Sequence, residues 1–325
     1  MTRVATRAKP RMPDRKAGND RRRRRWRRAV PYLMLLPAAL AILLVQIGPM
    51  LIGATMSLLK LTEFTIGDWI KAPFAGLGNF RIALNFNLPI AHALLSSLVV
   101  TTLFTVVVVL ASWVLGTAGA VFLSDEFRGR RWLRGLFMVP YAIPGYIGVV
   151  VWLFMFLPNG AINTLLANDL HLVPHNTFWL AGTSAFWSIV VTSIWATWPF
   201  AFLLMLAGVQ SVPNELYEAA RVDGATRWQE FRRITFPGVR RISLLLILVA
   251  GFYSFNNFTT PYVMFGTAAP ADASLLSLQI YVNSFVELNF GLGAAMSVLM
   301  IALLIVFALA YMRVLNFKVG GSTDA

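Results

Sequence analysis

Six apolar runs, separated by polar segments, set the layout of the chain: Tyr32–Leu59, Ala93–Leu123, Leu136–Leu157, Ser184–Val209, Ile242–Phe265 and Leu292–Met312. Each reaches the roughly 20 residues that a helix needs to cross a bilayer. None carries a charged residue well inside it. The pattern predicts an all-α, polytopic membrane protein with six transmembrane helices and both termini on one side. Ala93–Leu123 is longer than a bilayer requires, so its helix is expected to tilt or to project beyond the membrane. Pro140, Pro144, Pro199 and Pro261 fall within runs. Each is expected to kink or interrupt its helix, because proline lacks an N–H and displaces a carbonyl.

Composition agrees with this layout. Of 325 residues, 58% are hydrophobic and 13% charged, against about 25% charged in soluble domains. The absence of cysteine excludes disulfides, thiolate chemistry and Cys-bound zinc. A net charge of +14 could suggest nucleic acid, but 13 of the 28 Lys and Arg residues precede residue 29. A basic tail running into an apolar span marks a cytoplasmic flank, so no nucleic-acid partner is inferred. The cluster Arg21 to Arg25 with Arg27 and Arg28 either binds anionic membrane lipid or fixes orientation. With the N-terminus inside, the cytoplasmic segments hold 25 of the 28 basic residues, leaving Lys60, Lys71 and Arg81 outside. The positive-inside rule then places both termini and the polar segment after the fourth span in the cytoplasm of a multi-pass protein. The domains expected are a disordered basic tail at 1–29, a first span with its outside segment at 30–91, a core at 92–315 and a short cytoplasmic tail at 316–325.

The polar segment at 210–240 has the local chemistry of a helical hairpin. Pro213 and Asn214 can open a helix, and Glu215 and Glu218 lie near the positive end of its dipole. Ala219 and Ala220 are strong helix formers with almost no side chain. Gly224 is the stop, since glycine takes the left-handed cap without strain. Thr226-Arg227-Trp228-Gln229 then spells a capping box for a second helix, expected to end before Pro237.

Glu218-Ala219-Ala220, Gly224, Ile234 and Pro237, at this spacing, resemble the EAA loop of ABC importer permeases. Asp223-Gly224-Ala225 and Phe231 resemble the carbohydrate-importer form of that loop. Phe236 stands where leucine is usual and Arg241 where a second proline is common; neither removes the helix or its turn. Gly76-Leu77-Gly78-Asn79-Phe80-Arg81, Pro140-Tyr141-Ala142-Ile143-Pro144, Asn159-Gly160-Ala161-Ile162-Asn163, Phe255-Asn256-Asn257-Phe258 with Tyr262, and Gly291-Leu292-Gly293-Ala294-Ala295 are similar to further patches of the family. The usual Gly-Gly-x-Pro is altered to Gly266-Thr267-Ala268-Ala269-Pro270. The resemblance implies a type I (MetI-like) transmembrane domain of the maltose/glycerol-phosphate type. It also implies a coupling helix carried by Glu218, Ala219, Ala220, Asp223, Gly224, Ile234 and Pro237, which docks on a separate ATPase. The implied partners are two copies of that ATPase, a second and usually non-identical permease, and an extracytoplasmic sugar-binding protein. The resemblance also implies that this chain binds no cofactor of its own and that ATP and Mg are used by the ATPase.

Polar residues cluster beside two of the prolines: Thr192, Ser193, Trp195, Thr197 and Trp198 before Pro199, and Tyr253, Ser254, Asn256, Asn257, Thr259 and Thr260 before Pro261. Groups of this kind at membrane depth need partners. Trp195, Trp198, Tyr253, Asn256, Asn257 and Phe258 either line a sugar path, where aromatic faces meet C–H surfaces and amides meet hydroxyls, or serve as packing glue between helices. Asp169, His171 and His175 lack the frame of a metal site, and none is inferred. No Walker A sequence, nucleophile elbow or paired carboxylate suggests an enzyme. The spans lack the charged relay of a proton-driven transporter. The alternative to an ATP-driven sugar importer is a secondary transporter or channel that works without an ATPase.

Overall fold

The computed structural model describes residues 30–174 and 177–314. The basic tail at 1–29, His175 and the tail at 316–325 lie outside the described residues. By contacts the chain divides into two units, Met1–Thr55 and Met56–Ala325. The described part of the first unit belongs to helix α1 (Val30–Met56). It is apolar on every side, the character of a helix solvated by lipid or by other helices. A π turn interrupts its regularity at Leu43–Ile47.

The second unit begins with a polar-to-apolar connector that carries α2 (Gly78–Ala83). Its core is α3 (Pro89–Phe122) packed along α7 (Gly182–Gln210). Between helices in lipid there is little hydrophobic drive, so close backbone approach through small residues carries the packing. Gly116 of α3 is the closest point: a Cβ there would lie 2.6 Å from the Phe202 nitrogen. Phe202, Met205 and Leu206 fill the space beside it, joined by Leu246 and Ala250 of α10 (Arg240–Phe255). A second cluster gathers Phe104 and Val108 of α3, Ile189 of α7 and Met264 of α11 (Thr259–Phe265).

Among the described residues, five helices are long and apolar enough to cross a membrane. The remaining expected span, Leu136–Leu157, is broken into α4 (Arg130–Phe137), α5 (Val139–Ala142) and α6 (Gly145–Met155). Ile143 is extended (ψ 128°) because it precedes Pro144, whose ring disfavours the helical region for its neighbour. The fifth span is likewise interrupted, at Asn256–Phe258 between α10 and α11, with Pro261 in the first turn of the new helix. Pro199, by contrast, lies inside an uninterrupted α7.

The connector 56–88, grouped with the first span from sequence, packs within the second unit against the start of α13 (Phe290–Val314). Buried Asn79 donates to the carbonyls of Ser57 (2.8 Å) and Leu59 (2.9 Å). The Gly291 amide donates to Leu61 O at 2.9 Å. A side chain at Gly291 would strike Leu59 O and Asn79. Two of the family-like patches, around Asn79 and around Gly291, thus form one joint. Asn163 makes a similar staple, donating to Pro158 O and Thr177 O and accepting from the Trp179 indole. The altered stretch after the fifth span opens at Gly266, which ends α11 at φ +63°. It then turns through Ala271–Ala273, where Ala273 is buried.

Candidate functional site

The segment after α7 forms the hairpin expected of it. Pro213 stands at the N-cap of α8 (Asn214–Val222). The helix ends in a complete Schellman motif: Ala225 N–H reaches Ala220 O at 2.9 Å and Gly224 N–H reaches Arg221 O at 3.1 Å. Gly224 sits at φ +77°, with open space where a Cβ would be. The demand for glycine is therefore conformational and not steric.

Thr226 caps α9 (Arg227–Glu230) in a capping box, its hydroxyl accepting from Gln229 N–H and its amide donating to Gln229 Oε1 at 2.7 Å. Thr226→Ala is expected to cost about 1 kcal/mol, read as faster amide exchange confined to Arg227–Glu230. The second helix does not stop before Pro237, contrary to the sequence expectation. A π turn at Phe231–Thr235 leads directly into Phe236–Gly238. The added residue shifts the hydrogen-bond register just ahead of the proline, whose nitrogen has no hydrogen to give.

Four contacts hold the hairpin. Tyr217 and Thr235 share a hydroxyl hydrogen bond at 3.0 Å. Arg221 Nε donates to Glu230 at 3.0 Å, and Glu230 is only 5% exposed. Arg227 pairs with Asp125 at 3.0 Å, tying the hairpin to the loop after α3. At the base, Gly238 abuts Val212 and Val239 enters the main core. The tip is open, with Glu218, Ala219, Asp223 and Gly224 exposed and Ala220 half-buried; in the returning limb of the hairpin Ile234 is half-buried and, beside the base, Pro237 is exposed. Val222 is 88% exposed and Trp228 is also bare. Sequence reasoning passed over Val222; its signal was an apolar residue on the outer turn of an otherwise polar segment.

The membrane-path candidates divide. Trp195 packs over Gly148 and edge-on to Trp152, and Trp198 packs on Phe137. Tyr253 and Asn256 are exposed, the Asn256 amide donating to Phe252 O. Asn257 is consumed by structure. Its amide reaches the hydroxyls of Ser193 and Thr260, its Oδ1 accepts Thr260 N–H, and its carbonyl accepts from Ser277. The two polar clusters therefore meet through Ser193, Asn257 and Thr260. Phe258 belongs to an aromatic group with Tyr262 (4.8 Å) and Tyr281 (5.0 Å). That group borders a cleft of about 400 Å³ shared with Phe285 and Phe290. Tyr281 and Phe285 were missed because α12 (Leu276–Tyr281) and the turn beyond it lie outside every apolar run. Among the described residues no group of three His, Asp or Glu side chains could hold a metal.

Fold and site together define a polytopic helical membrane protein that presents a braced helical hairpin between two of its spans. Residues 109–321 match the model of the binding-protein-dependent transport system inner membrane component family, and the chain belongs to that family. It is 31% identical to the trehalose/maltose transport system permease protein MalF of Thermococcus litoralis over 289 residues, covering 88% of this chain and 94% of the relative. It is 29% identical to the sn-glycerol-3-phosphate transport system permease protein UgpA of Agrobacterium fabrum, covering 89% and 96%. The crystal structure of a bacterial ABC transporter that imports the acidic polysaccharide alginate shares the fold. The TM-score is 0.70 at 21% identity, over 91% of this chain and all of that one. The chain is thus a multi-pass permease subunit of an ABC importer and is not itself the ATPase.

Proposed function

We propose that this chain forms half of the translocation path of an ATP-driven sugar importer and transmits ATPase motion through the hairpin Asn214–Gly238. The observation that carries this is the contrast within the hairpin, fixed at its base and bare at its tip. Glu218, whose side chain makes no hydrogen bond among the described residues, is assigned the polar contact with the ATPase. Ala219, Ala220 and the exposed Val222 supply close packing, and Gly224 and Asp223 the turn. Ile234 and Pro237 set the return helix. Both termini and the hairpin face the cytoplasm in this reading, supported by the basic residues concentrated on that side. The partners are a second, non-identical permease, two copies of a cytoplasmic ATPase that uses ATP and Mg, and an extracytoplasmic sugar-binding protein. A sugar is supported by the trehalose/maltose and maltodextrin relatives and by the uncharged spans, which do not favour an anion.

Reconstitution tests the reading: uptake into proteoliposomes should require ATP, the ATPase and the binding protein together. Accumulation by the purified chain alone would restore the secondary transporter. Within the path, Asn256→Ala is expected to lower uptake severalfold with assembly intact, since its side chain bonds only to its own helix. Asn257→Ala should instead lower the yield of folded protein, because it unties three side-chain hydrogen bonds at the break between α10 and α11. Size-exclusion profiles beside transport assays separate the two outcomes.

A further inference from the structure

Residues 123–138 join the end of α3 to the broken third span, so α4 lies at the boundary between the membrane and its surroundings. Its four neighbouring arginines are used in two different ways. Arg134 donates to Leu123 O at 2.7 Å. Arg130 donates to Glu126 at 3.0 Å and to the Asp125 carbonyl. These two fasten α4 to the loop before it. Leu133 and Phe137 enter the main core, with Phe137 5.1 Å from Trp198 and 5.3 Å from Phe202.

The opposite face has no such partners. Arg128 and Arg131 are exposed, and their side chains make no hydrogen bond or ion pair among the described residues. Trp132 is 86% exposed, and Leu136, one turn further along, is also bare. Asp125 is already paired with Arg227 and Glu126 with Arg130. No acidic side chain of the loop is left to neutralise the outer arginines.

We propose that this face, made of Arg128, Arg131, Trp132 and Leu136, binds the headgroup of an anionic phospholipid. Two guanidinium groups suit a phosphodiester, for which arginine offers planar paired donors. An indole beside them suits the headgroup level, where aromatic rings with one polar edge collect. Leu136 extends the face toward the acyl region. A short basic amphipathic helix held against a membrane domain has the features of an interfacial lipid contact. Asp125, three residues before Arg128, pairs with Arg227 of the hairpin, so the site lies on the same side of the membrane as the hairpin.

The chain has no cysteine, and a Cβ at Gly135 would meet nothing within 4 Å. A fluorophore on Gly135→Cys therefore reports locally, apart from the basic N-terminal tail. In nanodiscs of the full-length protein, headgroup spin-labelled phosphatidylglycerol should quench it at a mole fraction about 25-fold lower than spin-labelled phosphatidylcholine, taking about fivefold per arginine. Arg128→Gln with Arg131→Gln should abolish that preference, while the charge-matched pair Lys60→Gln with Arg81→Gln should leave it intact. Retention of the preference in the arginine double variant would overturn the proposal. So would competition by millimolar inorganic phosphate, or a loss that appears as failed ATPase association in lipid-free detergent.

Discussion

Gly116→Val is expected to abolish recovery of folded protein from the membrane, or to leave it destabilised by about 3 kcal/mol, the upper part of the range for an overpacked core. A Cβ at this position would lie 2.6 Å from Phe202 N, 2.7 Å from Ala201 C and 2.7 Å from Ala201 Cβ. Backbone atoms cannot rotate aside as the end of a side chain can, so α3 and α7 would have to separate. Both clusters of the core depend on that pair, since Phe104, Val108 and Val109 of α3 face Ile189, Phe202 and Met205 of α7 across it. Thermal unfolding followed by tryptophan fluorescence in detergent measures the effect. Gly251→Ala is the control: it lies in α10 with nothing within 4 Å of a Cβ, and should be neutral or slightly stabilising because alanine is the better helix former. Equal stability of Gly116→Val and the parent would show that the helices do not rely on this approach.

The apolar runs were legible because a stretch of 20 or more uncharged residues has few structural solutions in water or lipid. The hairpin was legible because its signals are local. Gly224 and the pair Thr226 and Gln229 act within one turn of where they stand, and the observed caps use those atoms. What could not be read from sequence depends on distance along the chain. Nothing near Gly291 says that it lies against Leu59 and Asn79. The composition around Asn257 did not say whether its amide faces a path or is spent on Ser193 and Thr260. The prolines show the same limit. Pro144 breaks its helix through its immediate neighbour, whereas Pro199 stays inside an unbroken one and Pro237 is absorbed by a π turn. In each case the missing N–H is the same, and the surrounding packing decides the response.

Gly224→Val should reduce sugar transported per ATP hydrolysed at least tenfold while leaving the membrane core folded. The Schellman cap needs φ +77° at this residue, a region that costs a side chain roughly 1–3 kcal/mol and a β-branched one the most. About 2 kcal/mol shifts the capped state by a factor of roughly 30. The relaxed chain would give up the bonds from Gly224 to Arg221 and from Ala225 to Ala220. Helix α8 would then fray from the end that carries Ala219 and Ala220, and Arg221 would lose its alignment with Glu230. Because the Cβ itself would meet open space, packing loss does not enter, and substitutions should rank by tolerance of positive φ alone. Asparagine, which visits this region readily, should stay near the parent; alanine should fall between, and valine lowest. Amide exchange across Asn214–Val222 should follow the same order, linking the transport defect to the helix. If Asn and Val behave alike in transport while exchange separates them, the hairpin is folded as described but is not the element that couples.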